Sequence, residues 1–227
     1  MNNELLQVIV TQFPEALWET FYATFLATLF AIIIGLPLGV LLVVGEENSI
    51  MPLPKWLLKT IDLIINILRS IPFVIVVIVV FPLTRLIVGT TVGTLASIVP
   101  LVIAAFPFIA RLVESSLREV NPNLIEMARS MGASPMQIIT KVLLKESVPS
   151  LINNITIAIT TILGYTAMSG IVGGGGLGKI AINYGYYRYN YPVMIIAVIV
   201  LVIIVQIIQR VGTSISKKID RRQKSRW

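Results

Sequence analysis

Four long segments without a charged residue most strongly limit what this chain can fold into. They are 26, 25, 32 and 21 residues long. A hydrocarbon core of about 30 Å is crossed by about 20 helical residues, so each segment can cross a bilayer once. In chain order, these segments are residues 20–45, 86–110, 147–178 and 189–209.

A fifth apolar stretch, residues 57–81, is interrupted by Asn66 and by three charged residues, Lys59, Asp62 and Arg69. Its last twelve residues are too short to span alone, but they can span together with the two preceding turns. The 32-residue segment ends in a glycine run, so its helix is expected to stop near Gly170 and to be followed by a loop. We therefore predict an all-α, polytopic membrane protein with a single transmembrane domain, 1–227, and five transmembrane helices near 20–44, 57–81, 87–110, 148–170 and 191–210.

Composition and charge agree with a membrane location. Hydrophobic residues make up 56% of the chain and charged residues only 13%, whereas soluble domains have about a quarter of their residues charged. With the C-terminus inside, 14 lysines and arginines fall on the cytoplasmic side and 3 on the outer side, while Arg69 lies within a span. By the positive-inside rule, this split predicts an outer N-terminus and a cytoplasmic C-terminus. We expect the basic cluster at 217–226 to anchor the chain at anionic lipid.

The chain contains neither cysteine nor histidine. This excludes disulfides, thiolate and imidazole metal sites, cysteine nucleophiles and histidine-based triads, so we predict no catalytic residue and no metal ligand. An intramembrane aspartyl enzyme needs two aspartates within spans, and only Asp62 is available. These absences leave a membrane protein without catalysis of its own, either a transport subunit or a channel or structural subunit without ATP coupling.

The segment 111–146, between spans three and four, is too long for a simple turn. Asn121-Pro122 is expected to start a helix, and Gly132 is expected to end it in a left-handed conformation. After this glycine, Ser134 is an N-cap candidate with Gln137 as its capping-box partner. The pattern predicts two short amphipathic helices that meet at a sharp bend, and the apolar face of the first is formed by Leu124, Ile125, Ala128 and Met131.

Two functions fit this pair of helices. They could lie on lipid headgroups, as interfacial amphipathic helices do. They could also present an apolar knob to a groove of a partner protein. Their polar face mixes glutamates with arginines and lysines rather than being strongly cationic, which favours docking. The residue pattern alone leaves both interpretations open.

Residues 173–179 match the phosphate-binding pattern G-x-x-x-x-G-K until the next position. There, Ile180 takes the place of the serine or threonine that binds magnesium. The segment also follows a predicted membrane helix and lies on the outer side, away from cytoplasmic ATP. We therefore expect no nucleotide site here, and we expect the glycines to permit close helix packing or hinge motion in an outer loop.

A few polar residues lie inside predicted spans. Asp62 and Arg69 are seven residues apart, so they share one helix face at a distance of roughly 10 Å. Arg69 is a pathway candidate, because intramembrane charges often face an aqueous cavity, although both charges could instead reach the cytoplasmic edge. In span four, Tyr165, Met168 and Ser169 are pathway or gate candidates, and helix packing is the alternative. A thioether substrate would suit Met168 and Tyr165.

The stretch Glu126-Met127-Ala128-Arg129-Ser130-Met131-Gly132 resembles the EAA motif of permease subunits in bacterial ATP-binding-cassette importers. Met127 replaces the first alanine, and Val142-Leu143-Leu144-Lys145 replaces the family's Ile-x-Leu-Pro element. In that family the bend is the coupling helix, which sits in a cleft of the ATPase subunit. The resemblance implies that the coupling residues are Glu126, Ala128, Met131, Gly132 and Ser134.

Further segments are similar to the methionine-importer permeases of this family: 69–73, 164–170, 173–178 and 184–186. The resemblance implies an importer for D- or L-methionine or close relatives, and a permease for another amino acid or a methionine-containing dipeptide is the alternative. It also implies a bacterial inner-membrane location and a pathway formed by two copies, with Met168 near the gate. Two cytoplasmic ATPase subunits would hold ATP and Mg, so this chain would bind no cofactor and no nucleic acid. An extracytoplasmic substrate-binding (lipo)protein would dock near Gly175 and Lys179.

Overall fold

A computed structural model describes residues 2–47 and 49–220, with side chains from residue 7 onward. All regular elements in this part of the chain are helices, which confirms the predicted all-α class. Part of the predicted lipid anchor lies outside the described residues: Arg221, Arg222, Lys224 and Arg226. In chain order, the helices are α1 Asn2–Thr11, α2 Phe13–Val44, α3 Lys55–Ser70, α4 Phe73–Val79, α5 Phe81–Val88, α6 Thr94–Arg118, α7 Pro122–Ser130, α8 Pro135–Val172, α9 Gly176–Ile180, which a π-helical stretch Ala181–Tyr187 extends, and α10 Tyr191–Ile219.

Four of these helices are long and apolar enough to cross a membrane: α2, α6, α8 and α10. A fifth span is obtained if α3 and α4, which are bent by 106° at a short break, are counted as one. Four of the five predicted spans therefore correspond to long helices, and the bent pair corresponds to the second.

The second predicted span, 57–81, differs from one straight helix. Helix α3 ends at Ser70 and α4 begins at Phe73, with Pro72 between them. Proline lacks the backbone N–H of a continuing helix, and it disfavours helical geometry at the preceding residue. A further short helix, α5, begins only at the last residue of this predicted span, Phe81, and Gly89 closes it with a φ of +83°.

The connection to span four also differs from the prediction. Ser134 caps the start of α8, which continues without interruption to Val172. The second predicted short helix is therefore the first part of a long membrane helix rather than a separate element. This start contains a wide π-helical stretch, Ile138–Leu143. No glycine interrupts α8 before Gly164, and the helix contains Pro149.

The chain divides into two compact units. The first comprises the residues up to 31 together with 71–105 and 159–209. Its core brings together apolar residues of α1, α2, α8, α9 and α10, with α1 represented by Val8. The other members of this core are Phe13, Ala16, Leu163, Leu177, Ile180, Val193, Ala197 and Ile204.

The second unit comprises residues 32–70, 106–158 and 210–220. Its core contains Leu42 of α2, Ile65 of α3 and Ala110 of α6. Helices α2 and α6 approach closely because of Gly35. A β-carbon at this glycine would lie 2.7 Å from the carbonyl oxygen of Phe106. Small residues allow this kind of backbone approach between membrane helices.

Candidate functional site

The predicted coupling segment is well defined in the second unit. Asn121 is the N-cap of α7, and its side chain accepts a hydrogen bond of 3.0 Å from the N–H of Asn123. Pro122 occupies the first turn, where the missing N–H costs nothing. The predicted start of this helix is therefore confirmed.

The bend after α7 is held by backbone geometry and by a second cap. Gly132 has a φ of +79°, the left-handed conformation that commonly ends a helix. The N–H of Ala133 donates a 3.1 Å hydrogen bond to the carbonyl of Ala128. The N–H of Ser134 donates to Oε1 of Gln137 at 2.9 Å, and the N–H of Gln137 donates to Oγ of Ser134. This is the predicted capping box. The left-handed Gly132 therefore lies between two capped helix starts, those of α7 and α8.

The apolar residues of this bend divide into a buried set and an exposed set. Ala128 is 4% exposed and packs inward. Three methionines point away from the chain, with exposed fractions of 54% for Met127, 73% for Met131 and 62% for Met136. We call these three residues the methionine knob. Of these three methionines, the sequence analysis assigned only Met131 to the coupling contact, and it placed Met131 on the same face as Ala128. The structure separates these two residues, because Ala128 is buried and Met131 is exposed. The recurrence of methionine at 127, 131 and 136 was the signal that could have identified the other two.

The bend at Gly132 is attached to the loop that follows α2. Nη2 of Arg129 donates a 3.1 Å hydrogen bond to the carbonyl oxygen of Ser49. A groove lies beside this contact, and both Glu126 and Glu46 line it. Glu126 is exposed, so its carboxylate is accessible to a partner.

A chain of alternating charges runs from α3 to this loop within the second unit. Arg111 forms ion pairs with Asp62 and, at 2.6 Å, with Glu114. Arg118 forms ion pairs with Glu114 at 2.9 Å and Glu46 at 2.6 Å. Asp62 therefore has a partner, as its position inside a predicted span required. Sequence reasoning missed this partner, because Arg111 is 49 positions away.

The four pathway candidates have different surroundings. Met168 is 42% exposed, whereas Ser169 is buried and its hydroxyl donates to the carbonyl of Thr166 at 2.7 Å. Tyr165 stacks on Phe73, with ring centroids 4.8 Å apart and ring planes 5° apart. These residues belong to the first unit, while Arg69 belongs to the second and is exposed near the end of α3. Met168 and Arg69 are thus the two candidates with accessible side chains.

The glycine-rich segment of the first unit is closely packed. Gly175 is buried, and a β-carbon there would overlap Oγ1 of Thr94. At Gly178 it would overlap the carbonyl of Ala167. This geometry favours the close-packing role of these glycines. It also makes Gly175 unsuitable for a cysteine probe of partner docking, whereas Lys179 is exposed.

Two residues of α2, which sequence reasoning did not select, hold this segment. The carboxylate of Glu19 accepts a 2.7 Å hydrogen bond from the N–H of Gly176. Oγ1 of Thr20 accepts one of 2.9 Å from the N–H of Leu177. Both acceptors satisfy N–H groups at the start of α9 that have no intrahelical partner. No local pattern could have identified them, because 157 positions separate the partners.

Comparison with known proteins decides the family. The model of the binding-protein-dependent transport system inner membrane component matches residues 35–224. The chain belongs to this family. It is therefore a transport-system membrane component rather than an enzyme, which confirms the predicted class and the predicted multi-pass membrane location.

Relatives of this inner membrane component are similar over most of its length. The probable D-methionine transport system permease protein MetI of Vibrio cholerae is 46% identical over 98% of this chain and 95% of its own length. The D-methionine transport system permease protein MetI of Escherichia coli (strain K12) is 49% identical over 75% of this chain and 76% of its own.

A solved structure gives the same result for the fold. The inner membrane component is similar to a chain in the inward-facing MetNI methionine ABC transporter, with a TM-score of 0.91 and 47% identity. This match covers 94% of the present chain and 98% of the other. The fold and family predicted from the EAA-like motif are thus confirmed.

Proposed function

We propose that this protein is the permease subunit of an ATP-driven importer for methionine, with two copies forming the translocation pathway. The relatives described above are named as D-methionine permeases, and the similar solved structure is a methionine ABC transporter. This extent of similarity over nearly the whole chain supports methionine over the other amino acids and dipeptides that the sequence left open.

The methionine knob is the observation that carries the coupling role. Three exposed, flexible thioether side chains project from a bend that two helix caps hold in place. Methionine adapts well to hydrophobic grooves, and short helices commonly dock into such grooves. The partner that fits is a cytoplasmic ATPase subunit, one for each permease copy, with ATP and Mg held on the ATPase. Glu126, Ala128, Met131, Gly132 and Ser134 shape this contact, together with Met127 and Met136.

The orientation follows from the distribution of cations. The coupling bend and the C-terminus lie in the cytoplasm, and the N-terminus lies outside, where a substrate-binding protein delivers methionine near Lys179. Closure of the ATPase subunits on ATP shifts the permease between inward-facing and outward-facing states through the coupling bends. Met168 and Arg69 are accessible in the chain and are the stronger pathway candidates, whereas Tyr165 and Ser169 are packed within the first unit.

The test is uptake of labelled L- and D-methionine by liposomes that contain the complete complex, with unlabelled amino acids and methionine-containing dipeptides as competitors. We expect ATP-dependent uptake that excess methionine suppresses. Replacing Met127 and Met131 together by aspartate should lower uptake about tenfold or more, because buried apolar anchors dominate docking affinity. The matched leucine variant should retain uptake. Full uptake by the aspartate variant would reject the coupling role, and uptake insensitive to methionine would reject the substrate.

A further inference from the structure

Gly164 differs from every other glycine of the chain. All 15 glycines lie in the described residues. Five have a positive φ, which favours glycine, and nine others would place a β-carbon within 3.0 Å of a neighbouring atom. Gly164 has neither feature: its φ is ordinary, and a β-carbon there would meet nothing within 4 Å.

This glycine is unfavourable where it stands. It lies inside α8, shortly before the helix narrows at Gly170. Glycine in a helix interior is less stable than alanine, because it loses more backbone entropy on folding. No contact within the described chain requires its small size. The space beside it is therefore open to a group outside this chain.

The neighbours of Gly164 show what kind of space this is. Met168 and Ile171 follow at helical spacings of four and seven residues, and their side chains are 42% and 51% exposed. Side chains on a helix lean toward its N-terminus, so the thioether of Met168 borders the surface left open by Gly164. Tyr165 is held away from this face by its stacking on Phe73. We call the open surface at Gly164, which Met168 and Ile171 border, the notch.

We propose that Gly164 lines the transport pathway and leaves room for the side chain of the transported amino acid beside Met168. This inference rests on the proposed import function and adds a residue that determines substrate size. An unbranched apolar side chain, such as that of methionine, fits a notch of this kind. A thioether rim contacts it through adaptable dispersion interactions.

Because the chain contains no cysteine, a cysteine introduced at position 164 is its single thiol, and the labelling of this thiol tests the proposal directly. The Gly164→Cys variant of the complete complex, reconstituted in liposomes, should react with a membrane-impermeant maleimide, and saturating methionine should slow the reaction. The matched control is Val202→Cys, at a position 54% exposed on α10, which we expect to face lipid and therefore to react little.

Two results would overturn the proposal. One is labelling of the Gly164→Cys variant no faster than that of the Val202→Cys variant. The other is a disulfide between two copies of the Gly164→Cys chain without any labelling, because the second copy would then fill the notch.

A size series gives a second readout. Gly164→Ala, Gly164→Val and Gly164→Leu should lower methionine uptake progressively, by about tenfold for leucine, while the variants still co-purify with the ATPase. Val202→Leu adds bulk on the apolar face of α10 and should leave uptake unchanged. Full uptake by Gly164→Leu would overturn the proposal, and so would an equal loss for alanine and leucine, because helix flexibility would then explain the glycine.

The outcomes separate this inference from the proposed function. If the unsubstituted complex imports methionine but the thiol of the Gly164→Cys variant stays unreactive, only the role of Gly164 fails. The thiol could instead be labelled, with a different imported amino acid, rather than methionine, slowing its reaction with the maleimide. In that case the methionine assignment fails, and the position of Gly164 in the pathway stands.

Discussion

Glu19 and Gly176 are joined by a 2.7 Å hydrogen bond from the backbone N–H of the glycine to the carboxylate, although they are 157 positions apart in the chain. Thr20 makes the corresponding contact with the next N–H, that of Leu177. A β-carbon at Gly176 would lie 2.5 Å from Oγ1 of Thr20, so the approach requires a glycine. The glycine-rich segment is therefore fastened to α2 rather than free.

Replacing Glu19 by alanine should destabilise the protein. The N–H of Gly176 would lose its acceptor in a buried position, which costs about 1–3 kcal/mol. Glu19→Gln should retain most of the stability, because its amide oxygen can still accept. Thermal unfolding of the purified complex measures the effect, with Glu15→Ala at an exposed position one turn earlier as the control. Equal unfolding temperatures for the two alanine variants would refute this role.

Arg111 should matter more for stability than its partner Asp62. The Arg111→Met change leaves both Asp62 and Glu114 without their shared cation, and the Glu114 side chain is only 13% exposed. Asp62→Asn keeps an oxygen that accepts from Arg111, and the Asp62 side chain is 46% exposed. We expect a loss of about 1–3 kcal/mol for Arg111→Met and a smaller loss for Asp62→Asn. Denaturant unfolding of both variants checks the order, and the reverse order would contradict the network.

Gly132 should tolerate asparagine better than valine. Its φ of +79° strains most residues by about 1–2 kcal/mol, and asparagine is among the few that adopt this conformation readily. A β-carbon there meets nothing within 4 Å, so the cost comes from the backbone alone. We expect Gly132→Asn to retain ATPase stimulation and Gly132→Val to lose much of it, with the complex still in the membrane. Equal stimulation in both variants would show that the bend does not depend on this geometry.

Met168→Glu should alter uptake kinetics and leave assembly intact. The side chain is 42% exposed, so a charged replacement does not enter the core of the first unit, but it would place a carboxylate where we expect an apolar substrate to pass. Methionine uptake and co-purification with the ATPase measure the two effects separately. Met168→Leu is the control that keeps the apolar character. Unchanged uptake by Met168→Glu would remove this residue from the pathway.

Local patterns predicted most of the helices and the bend at Gly132. The apolar runs indicated four long helices, because a bilayer span demands a minimum length of apolar residues. The caps at Asn121 and Ser134 and the left-handed Gly132 were predictable because each depends on residues within a few positions. The break at Pro72 was missed, because the surrounding composition still satisfied the length requirement for a span.

An all-helical membrane component with a capped, EAA-like bend follows from the amino-acid sequence without further help, because hydrophobic length and capping chemistry are local properties. Helix packing was needed to establish which side chains of that bend are exposed, which cation pairs with Asp62, and which acceptors hold Gly176. The ion pair and the acceptor contacts join residues tens to more than a hundred positions apart, and only the packing of helices brings them together. A close contact or a positive φ explains every glycine but Gly164 from within the chain itself.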